Sequence, residues 1–225
     1  MKHKLIALAL LSGLSLASCA KKTDTAYTDT TAATPPTTTT TPAPPSNPTA
    51  MSGMKMSGKI DDDMVMMGKM MNDKLGAADA NYDDRFISMM IPHHEGAVMM
   101  SKDALTKTSK PELKKLAESI IAAQNKEIAD MKQWEQKWYG HAPQSSDMEM
   151  MNSQMVQELG PAGKDYEDHY IDGMIPHHES AIAMAKDALT KSTHPEIKAL
   201  AQSIITSQQK EIDQMKTYRK AWYGH

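Results

Sequence analysis

The sequence has a single cysteine, Cys19. Without a second thiol no intramolecular disulfide can form, even in an oxidising compartment. Beyond residue 18 there is no continuous apolar run of the roughly 18 residues that a membrane-spanning helix needs. There is no excess of positive charge. The formal net charge is -3, which makes a poor nucleic-acid binder. No alternating apolar pattern suggests strands, which points to an all-α chain. No nucleophile–base–acid arrangement supports a hydrolase. No Glu-x-x-His occurs, which argues against the di-iron carboxylate chemistry that wants one on each of two helices. We therefore read the chain as a non-enzyme.

What is present begins with a leader. "MKHK" is a short basic region, and "LIALALLSGLSLA" is an apolar stretch of signal-peptide length. It ends in "LASC", Leu16 to Cys19, which resembles a bacterial lipobox with cleavage before Cys19 and acylation of its thiol. Residues 1–18 are then removed, and Cys19 carries a lipid anchor that holds the protein at a membrane without spanning it. Ala20 follows the cysteine, where aspartate would suggest inner-membrane retention. The expected location is the cell envelope, at the outer membrane facing the periplasm.

Residues 20–50 are Thr, Pro and Ala with almost nothing apolar, the composition of a disordered tether. Eight methionines follow between Met51 and Met71. Met51, Met54 and Met56 lie among helix-disfavouring glycines and belong to the tether (19–57). Met64, Met66, Met67, Met70 and Met71 fall on more than one helical face, so some of them should be exposed.

Then the sequence repeats itself. Shifted by 84 residues, Ile91–His141 lies on Ile175–His225 without a gap, with 31 identities in 51 positions. Weaker matches extend backwards, and set units of 58–141 and 142–225. Two copies are too few for a solenoid, so a pseudo-twofold pair sharing one core is expected. Each unit reads as a short Met-rich helix (Asp63–Leu75, Asp147–Leu159), a long second helix (Tyr82–Lys107, Tyr166–Lys191) and a long third helix. "SKPE" and "THPE" (Ser109–Glu112, Thr193–Glu196) fit the capping box that starts a helix. Gly140 and Gly224 suit its end. "DDDM" (Asp61–Met64) reads as an exposed helix start. Helices two and three form an antiparallel hairpin, and two hairpins make an antiparallel four-helix bundle.

The second helices carry "MIPHHEGAVMM" and "MIPHHESAIAM". Met90, His93, Ala97 and Met100 share one face, as do Met174, His177, Ala181 and Met184. His94 and His178 sit on the neighbouring edge. Pro92 and Pro176 kink the helix or, alternatively, begin a new one. On the third helix Gln124, Glu127 and Met131 are spaced alike, as are Gln208, Glu211 and Met215. Buried polar groups at such positions need partners. Thioethers are soft donors that select Cu(I), and imidazole serves copper in either oxidation state as well as zinc. Methionine and histidine without free thiol point to copper. The competing readings are core filling for Met131 and Met215 and a bond to a freed carbonyl for a single histidine. His141 and His225 are helix-end residues or extra ligands. His169 aligns with Arg85, so no shared role is expected there.

"FISMMIPHHEGAVMM" and "YIDGMIPHHESAIAMAK", each followed by "Q..EI..M" and a terminal "WYG", resemble the family known as domain of unknown function 305. That family is helical and ferritin-like and includes a periplasmic copper-binding protein. The resemblance implies a four-helix bundle that binds Cu(I) or Cu(II) for copper resistance or homeostasis, and the expected role is to sequester the ion or hand it to a copper-transfer partner. By motif position it draws ligands from Met90, His93, His94, Met100 and Met131, and from Met174, His177, His178, Met184 and Met215. The alternative is an envelope scaffold that binds no metal, with a di-iron oxidase a further one.

Overall fold

The computed structural model describes residues 57–141 and 146–225. The leader, Cys19, the tether and Met51, Met54 and Met56 lie outside the described residues. Six helices and no strand are found among the described ones: α1 Ile60–Leu75, α2 Tyr82–Lys107, α3 Pro111–Tyr139, α4 Ser146–Glu158, α5 Tyr166–Lys191 and α6 Pro195–Tyr223. The fold is all-α. α2 pairs with α3 and α5 with α6 as hairpins, and α2 packs on α5. The short helices cross over, α1 packing on α5 and α4 on α2.

α1 buries Met64, Met67, Met71 and Leu75. That spacing of three, four and four is one helical stripe. Met66 and Val65 face solvent, as does Met150, which lies 84 residues after Met66. α1 starts three residues before the expected Asp63. Asp63 is not an exposed opening residue but a buried one, and its carboxylate accepts from the backbone N–H of Ser57 at 2.7 Å and of Gly58 at 3.2 Å. Asp61 and Asp62 are exposed as expected.

α3 and α6 begin at Pro111 and Pro195, and the capping boxes do not form. Carboxylates of the other repeat take up the chain there instead. Thr108 Oγ1 donates to Glu167 Oε1 at 2.6 Å, and Ser109 N–H reaches the same oxygen at 3.2 Å. Thr193 donates to Asp83 Oδ2 from both Oγ1 (2.9 Å) and N–H (3.0 Å). A buried acid offers a fixed charge to a helix N-terminus, which a capping glutamate on the exposed side would supply more weakly. Both helices end as expected, with Gly140 (φ 73°) and Gly224 (φ 84°) in the left-handed conformation that favours glycine.

Further ties repeat in both directions. Tyr82 Oη donates to Asp187 Oδ2 (2.9 Å) and Tyr166 Oη to Asp103 Oδ2 (2.8 Å). Lys107 Nζ reaches the Gly160 carbonyl (2.8 Å) and Lys191 Nζ the Gly76 carbonyl (2.7 Å). The start of α2 therefore meets the end of α5 and the reverse, so the two run antiparallel. Arg85 and His169 do share a role, contrary to expectation. Arg85 Nε donates to the Leu75 carbonyl (2.8 Å), and His169 Nδ1 to the Leu159 carbonyl (3.3 Å). Different donors satisfy the same orphaned carbonyl at the end of a short helix.

Candidate metal centre

α2 and α5 run as single helices through Pro92 and Pro176, so neither proline begins a new helix. The apolar stripe of each helix faces the other, and this carries Met90, His93, His94, Met100, Met174, His177, His178 and Met184 inside. All eight are at most 1% exposed. Met131 and Met215 are likewise buried, from α3 and α6. The ten expected ligands thus all lie in the interior. The closest meeting is between repeats: the rings of His93 and His177 have centroids 3.8 Å apart. Within each pair the centroids are 6.3 Å apart. The histidines form one layer across the repeat boundary, not two isolated pairs.

The carboxylate partners of the outer histidines set their tautomer. His94 Nε2–H donates to Glu127 Oε2 at 2.8 Å, and His178 Nε2–H to Glu211 Oε2 at 2.8 Å. With the proton on Nε2, the lone pair sits on Nδ1. Nδ1 of both rings is buried and has no partner within the protein. A carboxylate holding one ring nitrogen while the other is free is the arrangement by which metal-binding histidines are oriented. Gln124 adds two further unpartnered atoms, Nε2 and Oε1, one turn before Glu127, and Gln208 adds its Oε1. Such groups are costly to bury unsatisfied, and the donor set of imidazole and thioether suits copper.

The inner histidines differ from one another. His93 Nε2 has Ser180 Oγ at 3.2 Å. His177 has no partner on either nitrogen. The residue matching Ser180 is Gly96, which has no hydroxyl to offer. A Cβ on Gly96 would come within 2.6 Å of Asn152 Oδ1. Burial, and then the neighbouring imidazoles, hold His93 and His177 well below the ordinary histidine range. Both are therefore neutral at pH 7, with a lone pair on each ring. Glu127 lines a groove of about 500 Å³ between α3 and α6, so the outer part of the layer borders solvent.

Sequence reading missed Ser180, whose signal was the Gly96–Ser180 difference between repeats. It also left His141 open. The imidazole of His141 lies at the end of α3, 3.2 Å from Asp84 Oδ1 and 3.8 Å from Glu135 Oε1.

Among the described residues, six helices enclose a core that buries histidine, methionine and glutamate together. The chain belongs to the family described as domain of unknown function (DUF305), which matches residues 20–135 and 135–219. Its fold is similar to CopM in the Cu(I)-bound form, with 39% identity, 63% of this chain and 97% of that chain covered, and a TM-score of 0.56. CopM in the Cu(II)-bound form is similar at 38% identity, covering 63% and 98%, with a TM-score of 0.55. A putative secreted DUF305 protein from Streptomyces coelicolor shares 29% identity over 62% of this chain and 91% of its own, with a TM-score of 0.53. An uncharacterized protein, L153, of Acanthamoeba polyphaga mimivirus is 52% identical over 46 residues, 20% of this chain and 30% of that protein.

Proposed function

We propose that this protein is a lipid-anchored, non-enzymatic copper-binding protein of the bacterial envelope that sequesters copper or hands it to a transfer partner. One observation carries the reading. His94 and His178 each give the Nε2 proton to a glutamate and keep a buried, unpartnered Nδ1. His93 and His177 stand between them as neutral rings, and the six candidate methionines are among the twelve buried in the same core. Imidazole accepts either oxidation state, and thioether favours Cu(I). Similarity to CopM, solved with Cu(I), with Cu(II) and with Ag, supports copper or a like soft ion. The lipobox at Cys19 supports the envelope, and no helix among the described residues is long and apolar enough to cross a membrane.

The test is the copper content of the full chain and of a variant with His93, His94, His177 and His178 all replaced by alanine. We expect copper in the first and its loss from the bundle in the second, with helical circular dichroism retained. Unchanged stoichiometry in the variant would overturn the assignment, and a wild-type protein that takes up no copper would leave the scaffold reading standing. Cys19→Ser should release the protein from membranes, and unchanged partitioning would remove the anchor from the proposal.

A further inference from the structure

A second cluster of potential ligands lies away from the histidine layer. Asp84 on α2, Glu135 on α3 and His141 just beyond α3 each place one ligand atom within 4.8 Å of the others. Among the described residues no other three histidine, cysteine or acidic side chains converge in this way. Glu135 is fully buried. Its Oε1 accepts from Ser88 Oγ at 2.9 Å, while its Oε2 has no partner. Asp84 Oδ1 is also buried and accepts no hydrogen bond. A buried carboxylate with a free oxygen, beside a second carboxylate, is costly unless a proton or a cation compensates it, and burial, with Asp84 beside it, pushes the Glu135 carboxyl up from its ordinary value.

The other repeat shows what compensation looks like. At an offset of 84, Asp84, Ser88, Glu135 and His141 become Asp168, Asp172, Arg219 and His225. Arg219 replaces the glutamate, and its guanidinium pairs with both Asp168 (3.1 Å) and Asp172. The cation there is covalently part of the chain. In the first repeat the same place holds Glu135, which adds negative charge where Arg219 supplies positive. An imidazole stands at the open end in both copies.

We propose that Asp84, Glu135 and His141 form a second metal site, one that takes a divalent first-row cation such as Zn²⁺ or Cu²⁺. The donors are two carboxylates and an imidazole, with no thioether among them. Hard and borderline donors of this kind suit divalent ions and give Cu(I) nothing soft to hold. Glu135 and Asp84 come from adjacent helices, so their spacing is set by the α2–α3 packing. His141 is half-exposed and closes the site from the solvent side. With three protein ligands, a fourth position stays open to water. The site does not depend on the copper reading above, because it shares no residue with the histidine layer.

The experiment uses the full chain and Zn²⁺ as the probe. Calorimetric titration and the Zn²⁺-dependent rise in melting temperature are measured for wild type, Glu135→Gln, His141→Ala and Glu135→Arg. We expect Glu135→Gln and His141→Ala each to weaken one Zn²⁺ site by about tenfold or more, since even outer-shell losses around a metal cost that much. Glu135→Arg, which copies the second repeat, should abolish that site and raise the melting temperature of the zinc-free protein. Wild type loaded with one equivalent of Cu²⁺ at this site should show an electron paramagnetic spectrum with a single coupled nitrogen that His141→Ala removes. Zinc binding that is the same in all four proteins would overturn the proposal and make His141 a plain counter-ion to Asp84. A defect shared with the variant lacking the four layer histidines would place the zinc in the histidine layer instead, and would equally overturn it.

Discussion

His93 and His177 hold equivalent places in two halves of one chain, yet one has a hydroxyl within reach and the other has nothing. Glu135 and Arg219 hold equivalent places too, with opposite charge. The layer residues His93, His94, Glu127 and Met131 recur unchanged as His177, His178, Glu211 and Met215. The two repeats thus agree in the buried histidines and their glutamate partners and differ in the residues around them. A donor set shared across a twofold contact must match on both sides. Its surroundings need only be satisfied locally, and each half does this with different residues.

The largest expected effect tests whether the layer is shared. Replacing His93 and His94 by alanine in one chain, and His177 and His178 in another, should each remove more than half of the bound copper, because His93 and His177 meet at the repeat boundary. Loss of half the copper in each, with the remainder bound at wild-type affinity, would restore two independent sites. Metal analysis with a competing chelator measures it.

Acid should act on the same pair. Burial depresses the inner histidines, so below the ordinary histidine value of about 6.5 the unfolded chain takes up protons that the folded chain refuses. Stability of the metal-free protein is therefore fully present above that value and falls as pH drops below it, by up to about 1.4 kcal/mol per pH unit for each histidine. Urea midpoints across this range give the slope. His93→Gln and His177→Gln should each flatten it, and a slope that survives both substitutions would place the titrating groups elsewhere.

A smaller effect concerns the shell. Gly96→Ser would press on Asn152 and should cost about 1–3 kcal/mol by overpacking. Adding Asn152→Gly copies the Gly68–Ser180 combination of the other half. It should recover part of that loss, a coupling of about 1 kcal/mol in a double-mutant cycle. Strict additivity would mean that the two positions do not compensate each other. Smallest of all, Met66→Gln and Met150→Gln, both exposed, should stay within about 0.5 kcal/mol of wild type and leave copper content unchanged. Lost copper would make the exposed methionines part of the capture route.

The helices were legible because their signals are local. Tyr82–Lys107 and Tyr166–Lys191 follow from apolar period and bounding polar residues, and Gly140 and Gly224 from the need for a positive φ. The capping boxes failed because Ser109 and Thr193 found a stronger acceptor 58 and 110 places away in the other repeat than Glu112 or Glu196 offered nearby, separations at which local rules carry no weight. The burial of the histidines and methionines could be read from one face of a helix. The meeting of His93 with His177 could not, since it depends on how α2 packs on α5. Arg85 and His169 show a further limit: unlike residues can do one job when what matters is a donor aimed at a carbonyl.

The reciprocal ties have a consequence for how the chain comes together. Tyr82 bonds Asp187, and Thr193 bonds Asp83, across 105 and 110 positions. Each hairpin can zip up through neighbours, but these bonds must wait for two preformed halves to dock, a late step with a large loop to close. The ties of Tyr82 and Thr193 have mirror images in those of Tyr166 and Ser109, which is the pattern of a self-complementary twofold interface. The single polypeptide therefore has the architecture of a homodimer whose subunits have been joined end to end, and the joining has released each half to change on its own: glycine for serine beside one histidine, arginine for glutamate at one helix end.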